Sequence, residues 1–276
     1  MADDREEQRR ARCREVIQSL TLLDDVFMTA VFQDSLPCVD LVLQIILDRP
    51  NLHASCVVTQ DTMKNLRGHD VRLDIHAFAD GQEFNIEIQR AKKGASPRRA
   101  RYHSGIMDAN GLPEGADYEQ LPESYVIFIT ETDVLGGGQP LYLIRRTIEG
   151  TGQLFGDGAH IIYVNSSVAD MSTPLGRLMH DFHCVKPEEM CYDVLAERTG
   201  AFKNDEEGAI AMSALWEQLL REEYEQGMER GMERGTEHAY LSSIRTMMDK
   251  LQLTAEKAMD LLDIPKAKQG HYKAML

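Results

Sequence analysis

Apolar positions divide the chain before any motif does. Over residues 22–32, Leu23, Val26, Phe27, Ala30 and Val31 recur at three- and four-residue spacing, which predicts a helix. Asp24 and Asp25 suit its first turn, where the helix dipole favours negative charge. A second helix is expected over 37–47 with Leu41, Val42, Ile45 and Ile46 inward. Asp48-Arg49-Pro50 ends it, because proline disfavours helical backbone in the residue before it. Val57-Val58 opens a strand, and residues 71–78 and 84–89 alternate in period two about Asp80-Gly81, the pattern of a hairpin. Residues 91–95 read as a loop, and Pro97 begins a basic helix that runs to about Asn110. Residues 125–130 are almost wholly apolar, as in a buried central strand. A turn at Gly136-Gly137-Gly138 precedes further strands at 141–144 and 161–164. The expected core is therefore α/β, a mixed sheet with an early helix.

From about Met171 the pattern is helical to the end. Gly227, Gly231 and Gly235 form a four-residue repeat in a polar setting, read as a flexible linker, with close helix approach in an oligomer as the alternative. Helices are expected at 241–250 and 255–262, the second capped by Thr254, with a final turn after Pro265. This gives three parts: a charged N-terminal segment 1–20, a core 21–205, and a helical C-terminal region 206–276.

The hairpin is the most informative local feature. If Asp80-Gly81 is the two-residue loop of a type I′ turn, Ala79 faces Gln82 and the register follows. Asp74 then lies opposite Glu87, Arg72 opposite Gln89 and His76 opposite Asn85, all on one face. Leu73, Ile75 and Ala77 join Phe84, Ile86 and Ile88 on the other. Facing carboxylates, with Cβ atoms about 4.5–5.5 Å apart, repel each other. A solvated polar face that screens the repulsion is one reading. The other is a divalent cation between them, and Mg²⁺ suits a pair of carboxylates because it keeps several of its waters.

Charge narrows the function. A net charge of −15 excludes a protein that coats nucleic acid nonspecifically, since such a coat must displace phosphate counterions with cations. Yet residues 90–101 hold Arg90, Lys92, Lys93, Arg98, Arg99 and Arg101 with no acid, a patch suited to phosphate at one place. No apolar run approaches the roughly 18–20 residues of a membrane span, and the charged start has no secretory apolar segment. Five scattered cysteines fit reduced thiols and a cytoplasmic setting. His180-x-x-His183-Cys184, with Cys191 beyond it, has no standard zinc spacing, and helix packing accounts for it better.

Asp74 followed by Glu87-x-Gln89 resembles the motif of the PD-(D/E)XK nuclease superfamily, an acid on one strand and acid-x-lysine on the next. Val-Arg-Leu-Asp-Ile, Phe-Asn-Ile-Glu-Ile-Gln-Arg, Arg-Ala-Arg-Tyr and Ser-Tyr-Val-Ile-Phe-Ile are similar to the Rpn-like PD-(D/E)XK nuclease family transposases. So are Asp25-x-Phe27-Met28-x-x-Val31-Phe32, the stretch 179–203, the glycine repeat and the C-terminal helices. The resemblance implies a PD-(D/E)XK core with a C-terminal helical extension, acting as a DNA endonuclease that promotes recombination with Mg²⁺ (or Mn²⁺). It implies metal ligation by Asp74, Glu87 and the carbonyl of Ile88, and catalytic roles for Asp74, Glu87, Gln89 and Asp25, with Asp24 a near alternative to Asp25. Arg90, Lys92, Lys93, Arg98, Arg99, Arg101 and Tyr102 would hold the nucleic acid. Gln89 departs from the superfamily's lysine: an amide orients water but brings no charge, so Arg72 or Arg90 would have to supply it. A DNA-binding or partner-recruiting module that cleaves poorly stays open as the second reading, and an RNA target as the third. The C-terminal helices are candidates for homo-oligomer contacts.

Overall fold

The computed structural model describes residues 14–65 and 69–276. Residues 1–13 of the charged N-terminal segment, Cys13 among them, lie outside the described residues. The chain divides into two compact units, Met1–Leu215 and Trp216–Leu276.

In the first unit, helix α1 (Asp25–Phe32) starts three residues later than its apolar spacing predicts. Asp24 Oδ2 accepts the backbone N–H of Thr21 at 2.8 Å, which holds residues 21–24 in a turn. Helix α2 (Leu36–Leu47) stops at Asp48, whose backbone is left-handed at φ 53°. Strands β1 (Ala54–Met63), β2 (Val71–Ala79) and β3 (Gln82–Gln89) follow as an antiparallel meander. Residues 92–95, expected as a loop, form a 3₁₀ turn (Lys92–Ala95) that leads into α3 (Pro97–Gly111). Ser96 caps α3 by accepting the Arg99 N–H. Strand β4 (Ser124–Thr130) then pairs parallel to β3, and β5 (Leu141–Ile144) and β6 (Ala159–Asn165) complete a six-stranded mixed sheet in the order β1-β2-β3-β4-β6-β5. Helices α4 (Pro174–His183) and α5 (Asp193–Asn204) close the unit, and α6 (Glu206–Leu251) begins in it.

Alternation along the strands sends side chains to two cores. On one face Ile75, Ala77, Phe84, Ile86, Ile127, Ile129 and Val164 pack with residues of α1, α2, α4 and α5. On the other, Val126, Phe128 and Tyr163 pack under Ala100, Ile106 and Met107 of α3. No single helix among the described residues is long and apolar enough to cross a membrane. The bent pair α1 and α2 has the composition, but its apolar side chains are buried in the first core.

In the second unit Leu241 and Ile244 of α6 pack with Ala258 and Met259 of α7 (Ala255–Leu261), Ile264, and Tyr272 of α8 (Lys266–Met275). Thr254 caps α7 as expected. The linker reading of the glycine repeat is overturned: Gly227, Gly231 and Gly235 lie within α6. Each glycine costs about 0.8–1 kcal/mol against alanine in a helix, but the Met, Glu and Arg between them are good helix formers, and the flanking sequence carries the helix through.

Candidate active site

The hairpin turn is of the expected kind. Asp80 and Gly81 both have positive φ, 50° and 74°, as a type I′ turn requires. The register matches from Ala79 opposite Gln82 to Ile75 opposite Ile86, and there the regular ladder stops. Beyond it Asp74 takes over with its side chain: Oδ2 accepts the Ile88 N–H at 2.9 Å. The backbone N–H of Asp74 points to Glu87 Oε1 at 3.4 Å.

The break has a second consequence that corrects the expected faces. Leu73 packs in the α3-side core with Val71 and Met63, whereas Ile75 packs in the opposite core. Two residues that regular alternation would put on one face are thus separated across Asp74. On the neighbouring strand, Gln60 sits at φ 55° between Thr59 and Asp61, whose partners Ile75 and Leu73 flank Asp74. A left-handed glutamine inside a strand has no local sequence signal, so this kink was not legible beforehand.

The kink brings α1 to the break. Gln60 Nε2 donates to Asp25 Oδ1 at 3.0 Å and to Thr29 Oγ1 at 2.9 Å, and Arg72 Nη2 lies 4.0 Å from Asp25 Oδ2. Asp24 and Asp25 now separate. Asp24 binds Thr21 with one oxygen and Arg90 with the other, at 2.6 Å, while the charge of Asp25 is felt by Asp74. Burial, and after it the charges of Glu87 and Asp25, push the Asp74 carboxyl well above the usual carboxylate range against the opposing Ile88 N–H and Arg99. A buried carboxyl beside two acids is in surroundings that favour its protonated form.

Glu87 is fully buried behind α3. Arg99 Nη2 donates to its Oε2 at 2.9 Å, and His103 Nδ1 lies 3.5 Å from Oε1. Arg99 also donates through Nε to His103 Nε2 at 3.2 Å, and through Nη1 to Gln89 Oε1 at 3.3 Å and Gly94 O at 3.0 Å. Accepting from Arg99 at Nε2 puts the His103 hydrogen on Nδ1, on the side of Glu87 Oε1. Neither Arg99 nor His103 stood out as a site residue beyond the basic patch. Their i, i+4 spacing on one helix face was the signal that pairs them.

A cleft of about 570 Å³ opens here, lined among others by Asp25, Arg72, Asp74, Ile88, Gln89, Arg90, Arg99 and Tyr102. The basic stretch does not act as one surface. Arg90 is paired with Asp24 and Glu131, and Arg99 turns inward to Glu87 and Gln89. Lys92, Lys93, Arg98 and Arg101 are exposed. The Tyr102 hydroxyl donates to His69 O at 2.6 Å and accepts from Asn65 Nδ2 at 2.8 Å. Of the cations around Gln89, Arg99 donates to it, while Arg90 donates to Asp24 and Glu131.

The family model for PD-(D/E)XK nuclease family transposases matches residues 54–169. Over these residues the chain is similar to PD-(D/E)XK nuclease family transposases. The domain begins at the first residue of β1 and ends just beyond β6, so it holds the Asp74 and Glu87 strands, Gln89 and α3. Asp25 and every α-helix after α3 lie outside it. No curated protein and no solved structure matches the chain. A PD-(D/E)XK domain is a nuclease fold, and the chemistry of this one depends on its own residues.

The His180 region departs from its expected reading as helix packing alone. His183 goes to Ser166 Oγ at 3.0 Å, but His180 lies against the thiols of Cys184 and Cys191. Among the described residues Cys38, Cys56, Cys184 and Cys191 are free thiols.

Proposed function

We propose that this chain is a Mg²⁺- or Mn²⁺-dependent endonuclease that hydrolyses DNA phosphodiester bonds, in recombination or the movement of mobile elements. The observation that carries the reading is the buried Asp74 carboxyl set beside Glu87 where the β2–β3 ladder breaks. The donors fit a hard cation: two carboxylates and the carbonyl of Ile88, with Asp25 as an outer acid. Glu87 Oε1 makes only long contacts, at 3.4 and 3.5 Å, so it is the oxygen suited to ligation, while Arg99 engages Oε2. When bound, the cation would acidify a water and neutralise charge on the scissile phosphate. Asp74 and Glu87 would bind it, Gln89 would orient water, and Arg99 would bring the positive charge that the superfamily draws from lysine. Lys92, Lys93, Arg98 and Arg101 would contact the phosphate backbone, with Tyr102 bracing the cleft wall.

One observation favours a second reading, a DNA-binding module that cleaves poorly. The Gln89 amide is already engaged by Arg99, and Arg99 stands between Glu87 and the cleft. Supercoiled plasmid and structured RNA incubated with the protein, in Mg²⁺ or EDTA, separate the readings. Mg²⁺-dependent nicking of plasmid that Asp74→Ala abolishes is the expected result. DNA binding without nicking, unchanged by the substitution, supports the second reading, and cleavage of RNA alone overturns the DNA assignment.

A further inference from the structure

Away from the cleft, the end of α4 gathers soft ligand atoms around one imidazole. His180 Nδ1 lies 3.4 Å from Cys184 Sγ and 3.7 Å from Cys191 Sγ. The chain makes this possible by doubling back through the 3₁₀ turn Pro187–Glu189. Asp181 fixes the return: its Oδ1 accepts the Cys191 N–H at 2.7 Å and its Oδ2 the Tyr192 N–H at 2.9 Å. Asp181 is fully buried, and its Oδ1 is also 3.2 Å from His180 Nδ1.

We propose that His180, Cys184 and Cys191 form a binding site for a zinc-type divalent cation, with its fourth position open to water. Zinc binds sulfur at about 2.3 Å and imidazole nitrogen at about 2.0–2.1 Å, so tetrahedral N and S ligands stand roughly 3.6 Å apart. Both nitrogen–sulfur separations here fall on that edge length. Among the described residues, His180, Asp181 and Cys184 are the one group of three or more ligand-type residues with atoms all within 4.8 Å of one another. Cys191 falls outside that tight set, and because its side chain is exposed it can rotate inward without disturbing the core. Asp181 fixes the segment that carries Cys191, and its Oδ1 lies beside the same His180 nitrogen that faces both sulfurs.

Such a site would staple the 184–191 segment to α4 just ahead of α5. Arg198 of α5 donates to Val31 O and Gln33 O at the end of α1. Metal loading would therefore stiffen the packing beneath the helix that carries Asp25.

Metal content and cobalt substitution test this on the full chain. Protein purified without chelator should hold about one zinc per chain. Its Co²⁺-substituted form should show thiolate-to-cobalt charge transfer, a signal that an all-oxygen site cannot produce. Asp74→Ala should keep both signals, which separates this site from the cleft. Cys191→Ser, at an exposed position, should lose the bound zinc and weaken the charge-transfer band while keeping the far-ultraviolet spectrum of the folded protein, and His180→Ala should likewise lose the zinc. Absence of metal and of any thiolate band in fully reduced protein overturns the proposal. So does stoichiometric zinc that survives both substitutions, or a Cys184–Cys191 disulfide whose reduction restores no metal uptake.

Discussion

Asp74 illustrates how a single side chain converts strand geometry into chemistry. Its carboxyl occupies the Ile88 N–H just past the last regular β2–β3 pair, and burial beside Glu87 and Asp25 raises its proton affinity. Folded protein without metal therefore keeps a proton that the unfolded chain loses near pH 3.9. The stabilising contribution is full below that pH and is lost as pH rises through the elevated folded value. Thermal unfolding in EDTA between pH 4 and pH 8 should show this decline in the wild type and a flatter profile in Asp74→Asn. Parallel profiles would mean that Asp74 is not the titrating group. The proximity of Asp74 and Glu87 was legible in the sequence because the Asp80-Gly81 turn dictates register. Arg99 as the partner of both Glu87 and Gln89 was not, because six cations in twelve residues look alike until the helix turns one of them inward.

Between β3 and α3, the 3₁₀ turn Lys92–Ala95 passes close beside the Gln89 side chain. A Cβ at Gly94 would lie 2.0 Å from Gln89 Oε1, the end of a flexible side chain, rather than against backbone. Gly94→Ala should therefore change stability by no more than about 0.5 kcal/mol, while displacing Gln89 and lowering cleavage about tenfold through misplacement alone. Chemical denaturation alongside the plasmid assay checks both halves; a large loss of stability, or unaltered cleavage, would contradict this account. Elements with strong local periodicity, such as α2, β3 and β4, were legible almost to the residue. Those set by tertiary context were not. The Gln60 kink in β1 exists to meet Asp25 and Thr29, and α6 continues through three glycines that local propensity alone would assign to a linker.

For the molecule as a whole, a net charge of −15 means that the proposed DNA binding must rest on a few local contacts. Each phosphate neutralised contributes about 0.9 to the slope of log K against log salt. Replacing Lys92, Lys93 and Arg101 together with alanine should lower that slope by about 3, read from fluorescence anisotropy of a labelled duplex over a salt series. An unchanged slope would move the phosphate contacts elsewhere. Class and architecture were legible at this scale because the hydrophobic pattern is strong. The His180 cluster was visible only as residues without a standard zinc spacing, since a buried aspartate and a short turn, rather than motif spacing, bring its side chains together. The central claim is that Asp74 and Glu87 share one divalent cation, and calorimetric titration of the metal-free protein with Mn²⁺ tests it most directly. The account predicts a binding event in the wild type that is absent from both Asp74→Asn and Glu87→Gln. Equal Mn²⁺ uptake by all three proteins would contradict it.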